Sequence, residues 1–121
     1  MITCTKIFTF AAAHYLPNHD GKCQNLHGHN YKLEVTVKGD LKKEGSSKGM
    51  VIDFYDLKTA VNEHIIDKLD HNYLNDIFDF DPTCENMLEW MGDMLVHLLN
   101  IHKLKLWESD NGYVEWTNDD K

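Results

Sequence analysis

The stretch Cys23-Gln24-Asn25-Leu26-His27-Gly28-His29 places two histidines one residue apart, with a cysteine four positions before the first. In an extended strand, residues i and i+2 point to the same face. His27 and His29 can therefore hold one ion together, while Gly28 keeps the opposite side clear. His14 ends an earlier run that also reads as a strand, and it would complete a three-histidine set if the two strands are antiparallel neighbours. Zinc takes imidazole nitrogen readily, and three protein ligands plus one open position is the arrangement of catalytic sites. A lone histidine is more often a core or surface residue than a ligand; an H-x-H on an apolar face with a third histidine at the same end favours a metal. Cys23 is then either the fourth ligand of a closed structural site, a separate base whose pKa a nearby cation lowers, or a small buried residue.

Glu108 is the next residue of chemical interest, since it shares the inward face of a strand with Leu104 and Leu106. A buried carboxylate needs a partner. It could recognise an amide-bearing or guanidine-like ring through paired N–H donors. Asp70-His71 reads as a polar cluster at a helix end. Cys4 and Cys84 read as packing or strand residues, and His19, His64, His97 and His102 as surface or helix residues.

These side chains need elements to place them. Ile2 to His14 alternates as a strand, with Ile2, Cys4, Phe8, Phe10, Ala12 and His14 on one face; Lys6 breaks that face, implying a later start or a bulge. Pro17 to Lys22 reads as a loop. A second strand carries His27, His29, Tyr31, Leu33, Val35 and Val37 on its apolar face and ends at Gly39-Asp40. Leu41 to Gly49 reads as a flexible connection. Asp53 is placed to cap a helix whose stripe is Phe54, Leu57, Val61, His64, Ile65 and Leu69, with Asp70-His71 at or beyond its end. Thr83 is placed to cap a second helix through Met87, Leu88, Met91, Leu95 and Leu98, ending near Asn100. Lys103 to Glu108 and Tyr113 to Trp116 read as strands joined at Asn111-Gly112, a type I′ signal requiring φ > 0 at both positions. The expectation is an α+β fold of order ββααββ. It comprises a four-stranded antiparallel sheet with two helices on one face and edges that favour oligomerisation.

At 121 residues the chain suits one domain, 1–121. A formal charge of −8 argues against a nucleic-acid partner. No apolar run approaches the ~20 residues of a membrane helix, and no signal peptide is legible at the N-terminus. Three cysteines at unrelated spacings suit a reducing cytoplasm rather than a disulfide framework.

Taken together, Ala-Ala-His14, Cys23-x-x-x-His27-Gly28-His29, Ile52-Asp53-Phe54, Leu69-Asp70-His71, Pro82-Thr83-Cys84-Glu85-Asn86 and Glu108-Ser-Asp-Asn resemble the 6-pyruvoyl-tetrahydropterin synthase superfamily, in order and over nearly the whole chain. The resemblance implies the tunnelling fold, in which subunits join their sheets into a trimeric β-barrel and two trimers stack into a homohexamer. It implies zinc on His14, His27 and His29, with Cys23 as proton acceptor. His71 would assist that cysteine as a relay with Asp70 across a subunit boundary. Glu108 would anchor the pterin ring, with Thr83 and Glu85 nearby.

Three residues between Cys23 and His27 resemble the bacterial 6-carboxy-5,6,7,8-tetrahydropterin synthase branch of queuosine biosynthesis. That branch converts 7,8-dihydroneopterin triphosphate to 6-carboxytetrahydropterin with release of triphosphate and acetaldehyde. The tail Glu108-Ser-Asp-Asn-Gly looks more like the pyruvoyl-forming branch, which eliminates triphosphate without carbon loss. Cys84 stands where Ser or Thr is usual. In the implied reaction the metal makes the side-chain hydroxyls more acidic, and the Cys23 thiolate removes a proton from the carbon next to the ring. Lys22 is a candidate phosphate contact by proximity to Cys23. Two rivals stay open: a non-catalytic pterin- or zinc-binding oligomer, and a zinc hydrolase that does not need Cys23.

Overall fold

A computed structural model describes residues 1–21 and 25–119. Lys22 and Cys23 lie outside the described residues. The chain runs β1 (Ile2–His14), β2 (His27–Gly39), α1 (Phe54–Val61), a π-helical turn (Asn62–Ile66), α2 (Asp67–Leu69), β3 (Asn72–Tyr73), α3 (Leu74–Ile77), α4 (Cys84–Leu95), β4 (Ile101–Ser109) and β5 (Gly112–Thr117).

The sheet has five strands in the order β3-β1-β2-β4-β5, not four. The additional strand is Asn72–Tyr73, which pairs parallel to Ala12 and Ala13 on the outer edge of β1. Two residues are too few to show an alternation, so the sequence carries no strand signal there. Between β1 and β2 the antiparallel register runs unbroken from Ile2 opposite Gly39 to His14 opposite His27. The irregularity expected at Lys6 does not occur. Its side chain lies half-buried, with Nζ 5.9 Å from the centre of the Phe54 ring, so the aliphatic stem covers apolar surface while the ammonium stays wet.

Phe8, Phe10, Ala12 and His14 of β1, Tyr31, Leu33, Val35 and Val37 of β2, and Leu104 and Leu106 of β4 are all buried beneath the helices. That alternation fixes which face each histidine takes, because a one-residue slip would turn all of them outward. From the helix side, Leu57, Val61, Ile65, Leu69, Met87, Leu88, Met91 and Leu95 close the core.

Asp53 Oδ1 accepts the Tyr55 N–H at 2.9 Å and starts α1 as expected. The helix then widens: the Asp67 N–H reaches the carbonyl of Asn62, a five-residue step. The extra residue shifts the stripe beyond it, so Ile66 joins Ile65 in the core; Phe54, at the start of α1 and expected on the stripe, is 50% exposed. α4 is capped by Thr83, whose Oγ1 accepts the Asn86 N–H at 3.0 Å, and it ends at Leu95 rather than near Asn100. Leu98, expected on the buried stripe, is exposed.

The last hairpin forms, but not through Asn111-Gly112. Ser109 pairs with Gly112, which puts Asp110 and Asn111 at the turn. Among the described residues, positive φ occurs only at His71, Gly45 and Gly49, so the type I′ turn is absent. The strands absorb the mismatch in twist with a bulge: Trp107 pairs with Tyr113 and Ser109 with Gly112, leaving Glu108 as the extra residue. The 41–49 connection is not a loose one either. The Lys42 N–H donates to Met50 O and the Gly49 N–H to Lys42 O, each at 2.9 Å, closing it into a compact loop. No helix among the described residues is long and apolar enough to cross a membrane.

Candidate metal centre

His14 and His27 face each other across the last register pair of β1 and β2. His14 is fully buried, and its Nδ1 lies 2.8 Å from the carbonyl oxygen of Pro82, just before α4. His27 Nδ1 lies 2.7 Å from the carbonyl oxygen of Asn25. A carbonyl can only accept, so each Nδ1 carries a hydrogen and each Nε2 presents a lone pair. The two Nε2 atoms are 3.0 Å apart. Two lone pairs at that distance repel unless a cation, a metal ion or a proton, sits between them.

His29 adds a third ring. Its Nε2 is buried and has no hydrogen-bond partner among the described residues. Glu108 Oε1 lies only 2.9 Å away, in ion-pair range but not aligned as a hydrogen bond. Burial pushes His29 below its ordinary imidazole range, with His14 and His27 acting in the same direction and Glu108 opposing. A neutral ring with an available lone pair is the form that binds metal.

Glu108 reaches this place through the β4 bulge. Its other oxygen, Oε2, accepts the Cys84 S–H at 3.1 Å from the first residue of α4. Burial raises the Cys84 thiol far above its ordinary range, and the hydrogen bond and charge of Glu108 raise it further. Cys84 is thus a fixed donor, not a nucleophile. Nothing in the residue spacing marks Cys84 for this role, although it directly follows the Thr83 cap and its thiol meets Glu108 on the inward face of β4.

Ligand atoms of His14, His27, His29 and Glu108 all lie within 4.8 Å of one another. Tetrahedral bonds of about 2.0–2.1 Å place donors roughly 3.4 Å apart. The short edges, 2.9 and 3.0 Å, and the upper limit of 4.8 Å bracket that spacing. The donor set fits a zinc-like ion.

The other predicted residues divide into two groups. Cys84, Glu85, Leu106, Glu108, Tyr113 and Val114 line a hollow of about 290 Å³ next to the cluster. Thr83 lies at its helical end, where its hydroxyl oxygen is occupied as the cap. Asp70 and His71 sit elsewhere. His71, at φ 62°, donates its N–H to Ala11 O at 2.6 Å, and Asp70 Oδ1 accepts the Ala11 N–H at 2.9 Å and lies 3.0 Å from His71 Nδ1. The Ala11 N–H, with His71, holds the Asp70 carboxyl below its usual range. His71 lines a recess with Ala11, Ala12, Ala13, Gly28, His29 and Asn30. Among the described residues, the contacts of His71 are with Asp70 and Ala11, not with the rings of His14, His27 or His29.

Comparison with known proteins agrees with this geometry. The 6-carboxy-5,6,7,8-tetrahydropterin synthase of Haemophilus influenzae is 38% identical, with 96% of this chain and 99% of that protein covered. The protein of the same name from Synechocystis sp. is 47% identical over 71% of this chain and 68% of its own length. A solved structure of 6-pyruvoyl tetrahydropterin synthase from Caenorhabditis elegans superposes with a TM-score of 0.83 at 26% identity, covering 98% of this chain and 96% of that one. Residues 3–119 match the family model for 6-pyruvoyl tetrahydropterin synthase, and the chain belongs to that family.

Proposed function

We propose that the chain is a zinc-dependent 6-carboxy-5,6,7,8-tetrahydropterin synthase. It converts 7,8-dihydroneopterin triphosphate to 6-carboxytetrahydropterin, releasing triphosphate and acetaldehyde, in the cytoplasm. The observation that carries the reading is the 3.0 Å approach of the His14 and His27 Nε2 atoms, both with their Nδ1 hydrogens committed to carbonyls. Relatives at 38% and 47% identity support the carboxy-forming product.

His14, His27 and His29 hold the ion, which supplies Lewis-acid polarisation of the substrate's side-chain hydroxyls. Glu108 accepts paired N–H donors of the pterin ring through its carboxylate, kept in place by the Cys84 thiol. Glu85 lines the same hollow, and Thr83 fixes the helix start beside it. Cys23 takes the proton from the side-chain carbon next to the ring, and Lys22 contacts the phosphates. The Asp70–His71 relay, whose contacts are with each other and with Ala11 rather than with its own chain's cluster, serves the Cys23 of a neighbouring subunit in a homohexamer.

The test is incubation of the zinc-loaded protein with 7,8-dihydroneopterin triphosphate, assaying acetaldehyde and triphosphate alongside the pterin product. Triphosphate without acetaldehyde would move the assignment to the pyruvoyl-forming reaction. Cys23→Ala should keep zinc and lose turnover; if it loses zinc, the thiol is a ligand and the base must be sought elsewhere.

A further inference from the structure

Glu108 is asked to do two things at one place. Its hollow suits a ring with paired N–H donors, yet its Oε1 points into the histidine cluster, 2.9 Å from an imidazole nitrogen to which it is not hydrogen-bonded. With Oε1 2.9 Å from His29 Nε2, and all four ligand atoms within 4.8 Å of one another, the carboxylate stands where one cation would be shared with the three rings. The bulge that carries Glu108 and the Cys84 thiol that holds Oε2 together leave Oε1 free for that cation.

We propose that, without substrate, Glu108 is itself a ligand of the metal, closing the position that the three histidines leave open. It releases that position when ring N–H donors claim the carboxylate. The inference rests on the zinc site proposed above. Its consequence is a centre that is shut to small anions at rest and opened by the pterin ring alone, before any side-chain chemistry.

Cobalt(II) in place of zinc reports its ligands through visible absorption, and azide probes for an open position. Wild type should take up cobalt and show no azide response at concentrations that convert the Glu108→Ala and Glu108→Gln proteins. The variants' apparent azide affinity should be at least about tenfold tighter. Adding 7,8-dihydropterin, which has the ring but no side-chain hydroxyls, should make wild type azide-responsive as well. That comparison uses wild type alone and stands even if the variants fail to fold. An azide response in wild type without pterin overturns the inference and leaves the zinc reading intact. Failure of wild type to take up cobalt, or equal uptake by His27→Ala, overturns both.

Discussion

Replacing His27 by alanine isolates what the metal contributes to stability. A ligand that binds only the folded state stabilises it by about 2.7 kcal/mol when present at a hundred times its Kd. The unfolding entropy of a 121-residue chain is about 0.25 kcal/mol/K, so that stabilisation raises the Tm by about 10 °C. In metal-free protein the substitution costs little. It loses the His27 Nδ1 hydrogen bond to Asn25 O (2.7 Å), which is partly exposed and contributes about 0.5–1 kcal/mol. Against this, it removes the lone pair that faces His14 Nε2 at 3.0 Å. The metal-free Tm should therefore change by no more than about 4 °C, while the zinc-induced rise should vanish. Thermal melts followed by circular dichroism, with chelator and with added zinc, measure both quantities. A His27→Ala protein that keeps the full zinc-induced rise, or a wild type that shows none, would refute the argument from facing lone pairs.

Gly92→Ala should destabilise the fold, because a Cβ there would stand 2.4 Å from Trp116 Cε2. Overpacking costs about 1–3 kcal/mol and helix propensity returns about 1, so the net is a loss on the order of 1 kcal/mol, read as a Tm lower by about 4 °C. Asp70 has a lowered carboxyl pKa, so its contribution is full above the unfolded value of about 3.9 and is lost as pH falls through the lower folded value. Acid melts of Asp70→Asn should accordingly lose less stability than wild type in that window. Cys84, buried with its thiol held protonated against Glu108, should resist iodoacetamide in the folded protein and react only on unfolding, as peptide mass mapping would show.

The clustering of His14, His27 and His29 was legible in the sequence because strand alternation has a period of two and the histidines extend an apolar stripe. Tyr31, Leu33, Val35 and Val37 had to face the core, so His27 and His29 on the same parity had to follow. The helices were legible from Asp53 and Thr83, whose side chains do cap them. What escaped depends on backbone geometry that residue types alone do not encode. The π-helical turn follows from a single five-residue step within an otherwise ordinary amphipathic run. The turn at Asp110-Asn111 displaced a strong Asn-Gly signal by one residue, and with it came the Glu108 bulge. Neither the two-residue β3 nor the Cys84–Glu108 contact has any spacing signature, since each joins segments distant in sequence.

The centre draws its parts from independent elements, and that bears on its rigidity. The β1–β2 register sets His14 opposite His27, the α4 entrance supplies Pro82 O and Cys84, and the β4 bulge supplies Glu108. His14, His27 and Glu108 are thus each held by a contact beyond their own backbone, as preorganised ligation requires. The Asp70–His71 pair is built differently. It binds the outer edge of β1 through Ala11 and holds a non-glycine residue in the left-handed region. Left-handed backbone at a histidine costs about 1–3 kcal/mol and persists only where the surroundings enforce it. Here the enforcement comes from both hydrogen bonds to Ala11, so the imidazole is fixed in direction although its ring is exposed. An exposed histidine held in this way is what the proposed relay at a subunit boundary requires.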